Sequence, residues 1–246
     1  MTQKNEFCAL ILAAGKGTRM KSEMAKVLHQ LEGKPLLHYP ITAAQTAGAE
    51  KIIIVAGHQY DKVTAAFPDP DLTFVEQNPQ LGTGHAVAQA GGALQDYPGL
   101  TVILCGDVPL LKPQTIRRLI SAHDAAGAVV TVLTAEPPGP HEYGRIVKDG
   151  KGDVIKIVEH RDATAAEREI LEINTGIYCV DTQFLFSALA RIKNDNQQQE
   201  YYLTDIVEIA GRDGLKAGAF LAENYMEVMG INTPEELARA AGYLRQ

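Results

Sequence analysis

Four cations, Lys16, Arg19, Lys21 and Lys26, fall within eleven residues of one another in a chain whose formal charge is −7. They surround Gly15 and Gly17 in the run Leu12-Ala13-Ala14-Gly15-Lys16-Gly17-Thr18-Arg19-Met20. Small residues let the backbone approach a ligand closely, and consecutive amides can cradle phosphate oxygens. The chemistry suggested is the binding of a crowded polyanion such as a nucleoside triphosphate. A lone glycine pair with surface lysines would make no more than a tight turn. Two other phosphate sites are disfavoured. Met20 fills the third small position of a dinucleotide fingerprint, and no acidic residue ends a second strand about 20 residues later. The Walker pattern is absent.

The elements that must hold this loop are readable from the apolar runs. Phe7–Leu12 is continuously apolar, as a strand buried on both faces would be, and Lys51–Ala56, Leu72–Val75 and Thr101–Cys105 repeat that character. Helical spacing in Leu36–Ala47 and His85–Leu94 alternates with these strands, and a further helix begins near Pro113. Such alternation predicts an α/β fold, Rossmann-like, with a mixed, mostly parallel sheet flanked by helices. Val129–Leu133 is another strand, and Pro137–Pro140 is the clearest punctuation in the chain. Arg145–Lys148 and Val154–Val158 then flank Asp149-Gly150-Lys151-Gly152, a hairpin signal. Strands at Gly176–Val180 and Lys216–Leu221 surround two more helices. The last helix opens Thr233-Pro234-Glu235-Glu236, with a capping Thr, Pro in the first turn and Glu three residues after the cap. We expect one domain over 1–246, with an antiparallel β insertion near 140–180.

Composition narrows the function. With 46% apolar and 22% charged residues the chain is globular, and its acidic balance argues against broad nucleic-acid binding. Cys8, Cys105 and Cys179 have neither zinc nor disulfide spacing. The polar start and the lack of any apolar run near the roughly 20 residues of a membrane span make the cytoplasm the expected location, with no membrane partner.

The first loop, continued by AKVLHQLEGKPLLHY at 25–39, resembles the sugar-nucleotide pyrophosphorylases. The likeness is greatest to the uridylyltransferase domains of bacterial bifunctional N-acetylglucosamine-1-phosphate uridylyltransferase/glucosamine-1-phosphate acetyltransferases. It continues in order through 80–86 (QLGTGHA), 106–110 (GDVPL), 143–146 (YGRI), 157–160 (IVEH), 172–176 (EINTG), 200–205 (EYYLTD) and 230–232 (GIN). The resemblance implies the nucleotide-diphospho-sugar transferase fold. It also implies formation of UDP-N-acetylglucosamine and pyrophosphate from UTP and N-acetylglucosamine 1-phosphate. The attacking phosphate oxygen is already ionised, so the reaction needs alignment and charge neutralisation more than a general base.

Residue by residue, the resemblance implies that Asp107 and Asn232 hold Mg²⁺, while Arg19 and Lys26 serve the transferring phosphates, with Lys16 a weaker candidate. The nucleotide would lie on Leu12, Ala13, Ala14 and Gly15, with Lys26, Gln77, Gly82, Thr83, Cys105 and Gly106 completing its site. Gly144, Glu159 and Asn174 would bind the sugar, with Tyr202 and Thr204 lining the same pocket and Asn174 serving a hydroxyl and the acetamido group. His85 reads as structural. Taken alone, Asp107 would be a turn residue before Pro109 and Gln77 an exposed loop residue.

Two departures stand out. Ala25 precedes Lys26 where relatives usually carry Pro, so we expect a less rigid loop, and Cys105 stands where an aromatic is frequent. No hexapeptide repeats occur in these 246 residues, so the resemblance extends neither to acetyl transfer nor to the relatives' trimer, and oligomeric state stays open. The same chemistry on another hexose 1-phosphate or on CTP is the nearest alternative. A non-catalytic nucleotide-sugar sensor and an NAD-dependent oxidoreductase are the distant ones.

Overall fold

The structure is a computed structural model that describes residues 6–139 and 141–245. The first five residues, Pro140 at the end of the proline-rich punctuation, and Gln246 lie outside the described residues. The chain runs β1 (Phe7–Ala13), a two-stranded hairpin (Gln30–Leu31 and Lys34–Pro35), α1 (His38–Ala47), β2 (Lys51–Ala56), α2 (Tyr60–Ala65) and β3 (Leu72–Glu76). Next come α3 (Thr83–Gln89), α4 (Gly91–Leu94), β4 (Leu100–Cys105), α5 (Pro113–Ala126) and β5 (Val130–Ala135). The remainder is β6 (Arg145–Lys148), β7 (Val154–Val158), α6 (Ala165–Arg168), β8 (Ile173–Asp181), α7 (Thr182–Leu189), α8 (Asp205–Arg212), β9 (Ala217–Leu221) and α9 (Pro234–Leu244).

The main sheet has the order β9-β5-β8-β4-β1-β2-β3. β1 pairs in parallel with β2 and β4, as do β2 with β3 and β5 with β9. Alternation along the buried strands assigns residues to two apolar layers. Ala9, Ile11, Ile52, Ile54 and Leu104 pack on the side of α1 and α5. Leu10, Ile53, Val55 and Ile103 pack on the side of α3, α7 and α8. Helices on both faces make this the mixed, mostly parallel α/β fold that the strand–helix alternation predicts.

β8 departs from expectation. It runs antiparallel between β4 and β5, with Tyr178 opposite Ile103 and Cys179 opposite Thr131, so it is a central strand and not the far edge of an insertion. Its first residue, Ile173, also pairs with Arg145, which hangs the antiparallel β6–β7 hairpin on the main sheet. The helix expected over His85–Leu94 starts at Thr83 and is interrupted at Ala90, ahead of Gly91-Gly92. The short helices α2 and α6 and the small hairpin were not legible as apolar runs, because each buries little of its own surface. Leu12 aligns with both Val55 and Cys105, which brings the ends of β1, β2 and β4 to one edge of the sheet. All three strands run parallel, so their following loops share that edge, where open α/β sheets bind ligands.

Candidate functional site

The phosphate corner is assembled from three distant segments at that edge. The Gly106 amide donates to Leu12 O at 2.9 Å, holding the turn after β4 against the end of β1. The Ile231 amide donates to Asp107 O at 2.9 Å, bringing the 230–232 segment to the same place. Lys26 Nζ then donates to the Asp107 carboxylate and, at 3.0 Å, to Asn232 Oδ1. Two oxygens far apart in sequence therefore converge on one positive centre. Thr233 caps α9 in a capping box with Glu236, which leaves Asn232 clear of the capping role. Gly230 keeps the corner open, since a Cβ there would stand 3.1 Å from Asp107 Oδ2.

Lys26 is placed by its neighbours. Gly17 has φ +65°, and a Cβ on it would fall 2.5 Å from Lys26 Cβ, so both the backbone conformation and the space require glycine. Ala25 is buried and sits at φ −52°, ψ 132°, a conformation open to proline. Ala25 carries a restraint of another kind. Its amide, which proline would lack, donates to Gln59 Oε1 at 3.0 Å, while Gln59 Nε2 donates to Glu23 O at 2.9 Å. Gln59, just beyond β2, thus clamps the 23–25 segment. Nothing in the sequence marks it for this role. Arg19 is exposed, makes no ion pair among the described residues and lines the same cleft as Asp107. Lys16 is exposed and does not line that cleft.

That cleft, of ≈ 650 Å³, is lined by Arg19, Cys105, Asp107, Gly144, Glu159, Asn174 and Asn232 among others. Its sugar-side residues meet through backbone. The Asn174 amide donates to Gly144 O at 2.9 Å, and a Cβ on Gly144 would stand 3.4 Å from Glu159 Oε2. Arg145, buried and with no carboxylate partner among the described residues, donates to the carbonyls of Tyr143, His141 and Arg168 and fixes this wall. Asn174 is more restricted than the sequence suggests. Its Oδ1 accepts from the Gly176 amide and from the Tyr178 hydroxyl, both at 3.0 Å, which leaves the Nδ2 donors for a ligand.

Burial, reinforced by Asp162, Asp205 and Glu200, pushes the Glu159 carboxyl up to about 7. Burial also pushes the Cys105 thiol up to about 12, with Asp107 adding to the effect, so it is a packing group and not a nucleophile. Its Sγ donates to Gly176 O at 3.4 Å. Tyr202 and Thr204 do not line the main cleft. They line a neighbouring cavity of ≈ 470 Å³, and Glu159 belongs to both. Tyr202 OH donates to Asp162 Oδ2 at 3.2 Å, and Thr204 Oγ1 is buried with no hydrogen-bond partner among the described residues.

The nucleotide-binding candidates outside the cleft form a second corner at the same sheet edge. A Cβ on Gly57 would lie 3.0 Å from Gln77 O, 3.1 Å from Ala14 Cβ and 2.6 Å from Gln80 Nε2, so these groups are adjacent. Gln80 Nε2 donates to Ala14 O at 2.6 Å, and the His58 amide donates to that carbonyl at 3.2 Å. Gln77 is buried, not exposed, and its Nε2 lies 2.9 Å from Gly82 O and 3.1 Å from His85 Nδ1. Gly82 has φ +105°, and a Cβ there would stand 2.7 Å from Tyr201 O. The loop rests on the 201–203 segment, with the Gly84 amide donating to Tyr201 O at 2.8 Å and the Leu203 amide to Thr83 Oγ1 at 3.0 Å. The Thr83 hydroxyl oxygen thus accepts one bond from the scaffold. Gln80 was not singled out from the sequence, although it lies in the QLGTGHA block with His85, which was read as structural.

Comparison with known proteins agrees with this architecture. A family profile described as the MobA-like NTP transferase domain matches residues 9–199. The chain is 51% identical over 243 residues to the "Bifunctional protein GlmU" of Geobacter sulfurreducens, covering 98% of this chain and 51% of that protein. It is 52% identical over 242 residues to the protein of the same name from Geotalea uraniireducens, covering 98% and 53%. The chain spans about half the length of the curated relatives it matches.

Proposed function

The chain belongs to the MobA-like NTP transferase domain family, and on that premise we propose that it joins UTP to N-acetylglucosamine 1-phosphate, releasing pyrophosphate and UDP-N-acetylglucosamine. Membership makes it a nucleotidyltransferase acting on small molecules. The finer identity of nucleotide and sugar rests on the resemblance of its sequence blocks and on the site. The observation that carries the reading is the meeting of Lys26 with Asp107 and Asn232.

In the proposed reaction an oxygen of the sugar phosphate forms a bond to the α-phosphorus as the bond from that phosphorus to the β-phosphate bridging oxygen breaks. The electron pair leaves with pyrophosphate. The nucleophile is ionised at neutral pH, so no side chain needs to take a proton from it. What limits the rate is negative charge gathered at one phosphorus. Lys26 supplies a point charge beside that centre, and Arg19 offers a forked donor to the triphosphate or the sugar phosphate. Gly144, Glu159 and the Nδ2 of Asn174 orient the sugar along the other wall, with the acetamido group facing a donor.

The donor chemistry suits Mg²⁺. Asp107 and Asn232 offer two hard oxygens to one cation, as a site completed by phosphate oxygens and water requires. When bound, the metal would neutralise phosphate charge and hold the triphosphate for in-line attack. Pyrophosphate release, measured across UTP, CTP, ATP and GTP with N-acetylglucosamine 1-phosphate, glucose 1-phosphate and glucosamine 1-phosphate, tests the reading. The expected result is magnesium-dependent turnover greatest for UTP with N-acetylglucosamine 1-phosphate. A preference for glucose 1-phosphate would remove the acetamido role from Asn174. Tight binding of the UDP-sugar without turnover in Mg²⁺ would make the protein a sensor.

A further inference from the structure

Gln77 is buried among groups that commit one end of its side-chain amide. Its Nε2 carries two N–H donors, and two acceptors stand within reach: Gly82 O at 2.9 Å and His85 Nδ1 at 3.1 Å. Among the described residues nothing donates to Gln77 Oε1. An amide whose nitrogen is saturated has only acceptor capacity to offer a ligand. Turning the amide over would set its oxygen against the Gly82 carbonyl and the imidazole lone pair together.

His85 is itself held. Its Nε2 lies 3.2 Å from the Gln89 side-chain amide, and its ring packs at 6.4 Å from that of Tyr201. A neutral imidazole carries one N–H and one lone pair, so it cannot accept from both glutamines. The Gly82 bond fixes Gln77 as a donor. His85 therefore keeps its proton on Nε2, and Gln89, whose nitrogen stands 3.3 Å from His85 O, must turn its oxygen to that proton and give up the backbone bond.

We propose that His85 is a positioning residue for base selection, whose Nδ1 holds the Gln77 nitrogen inward so that Gln77 presents only its oxygen to the nucleobase. An oxygen in that place accepts from the N3–H of uracil and faces the N3 lone pair of cytosine. Discrimination between two pyrimidines of equal shape would then be set by a histidine that need not touch either. The inference rests on the proposed function and on Gln77, placed in the nucleotide site by the resemblance, being the residue that meets the base.

The test uses the full chain and two substitutions. His85→Phe keeps a flat aromatic ring and removes the acceptor, and His85→Asn restores an acceptor oxygen near the position of Nδ1. The ratio of kcat/KM for UTP over CTP, read as pyrophosphate release, should fall roughly fivefold or more in His85→Phe, the worth of about one hydrogen bond. His85→Asn should hold the ratio near the wild-type value. Nitrogen-15 NMR of the histidine ring should show the proton on Nε2 at neutral pH in the free protein. A wild type indifferent to UTP and CTP would sink the base-reading assignment and this inference with it. A wild type that discriminates, with His85→Phe discriminating equally, would overturn the inference alone. So would a ring protonated on Nδ1, a finding that holds even where His85→Phe fails to fold.

Discussion

The phosphate corner and the base corner lie on one sheet edge, yet they are built from opposite materials. At the phosphate corner a charged ammonium, a carboxylate and an amide oxygen converge from positions 26, 107 and 232. At the base corner the polar side chains with hydrogen bonds are neutral: Gln77, Gln80, Thr83, His85 and Gln89, each bonded to backbone or to another neutral group. Charge acts over distance and must be matched where it develops. A nucleobase differs from its rival by one donor or acceptor, and reading it needs amides that cannot turn. The first corner therefore depends on where charge is placed, while the second depends on bonds that each fix one orientation.

The sharpest break between the corners is Asp107→Ala. It removes one oxygen of the pair and should lower kcat at least about 10³-fold, several kcal/mol of charge stabilisation, with little change in fold. Lys26→Ala should follow, with a loss of about 10²-fold that falls mainly on kcat, because its charge matters most when the phosphorus is crowded. Steady-state kinetics over a magnesium series separate the two. A Lys26→Ala enzyme with raised KM and unchanged kcat would place Lys26 in ground-state binding. Neither substitution should change the UTP-to-CTP ratio, which belongs to the other corner.

Glu159 belongs to neither corner, and its prediction concerns stability as well as rate. Burial pushes its carboxyl up to about 7, against an ordinary value of 4.5. Between those two values the native state holds a proton that the unfolded chain has released, so the group lowers stability as pH rises through the window. Glu159→Gln removes that penalty. Relative to wild type it should gain about 1–3 kcal/mol of unfolding free energy above pH 7 and nothing below pH 4.5. Denaturant unfolding at pH 4.5 and pH 8 measures the difference, and an equal offset at both would refute it. Loss of an acceptor for sugar hydroxyls should raise KM for the sugar phosphate at the same time, roughly tenfold.

The strands and the larger helices were legible because apolar runs and helical spacing report burial directly. Asp107, Asn232, Gly144, Glu159 and Asn174 were legible for another reason. Blocks kept in order imply that their residues meet, and the backbone bonds from Ile231 to Asp107 and from Asn174 to Gly144 show how. Tyr202 and Thr204 share their block with residues that face elsewhere, and they line a separate cavity. The topology of β8 was illegible, since an antiparallel central strand carries the same apolar pattern as a parallel one. Partners supplied by a single neutral side chain were illegible too. Gln59 has no motif around it, and its φ of 56° leaves no mark in the sequence. α6 is the exception that could have been found, because Thr164 and Glu167 spell a capping box.

Gln59 also yields the smallest and most specific prediction. Where proline would stiffen the approach to Lys26 by restricting φ, Ala25 is restrained by the bond from its amide to Gln59 Oε1. Both devices limit the same backbone, so they should substitute for each other. Gln59→Ala should cost about 1 kcal/mol and lower kcat a few-fold. Ala25→Pro in the wild-type background loses that bond while gaining about 0.4–1 kcal/mol from a less flexible unfolded chain, so the two nearly cancel. In the Gln59→Ala background no bond remains to lose, and Ala25→Pro should stabilise by its full amount and recover part of kcat. A double-mutant cycle by denaturant unfolding reads this coupling directly. If proline stabilises equally in both backgrounds, the amide bond contributes nothing and Lys26 is held by the Gly17 turn alone.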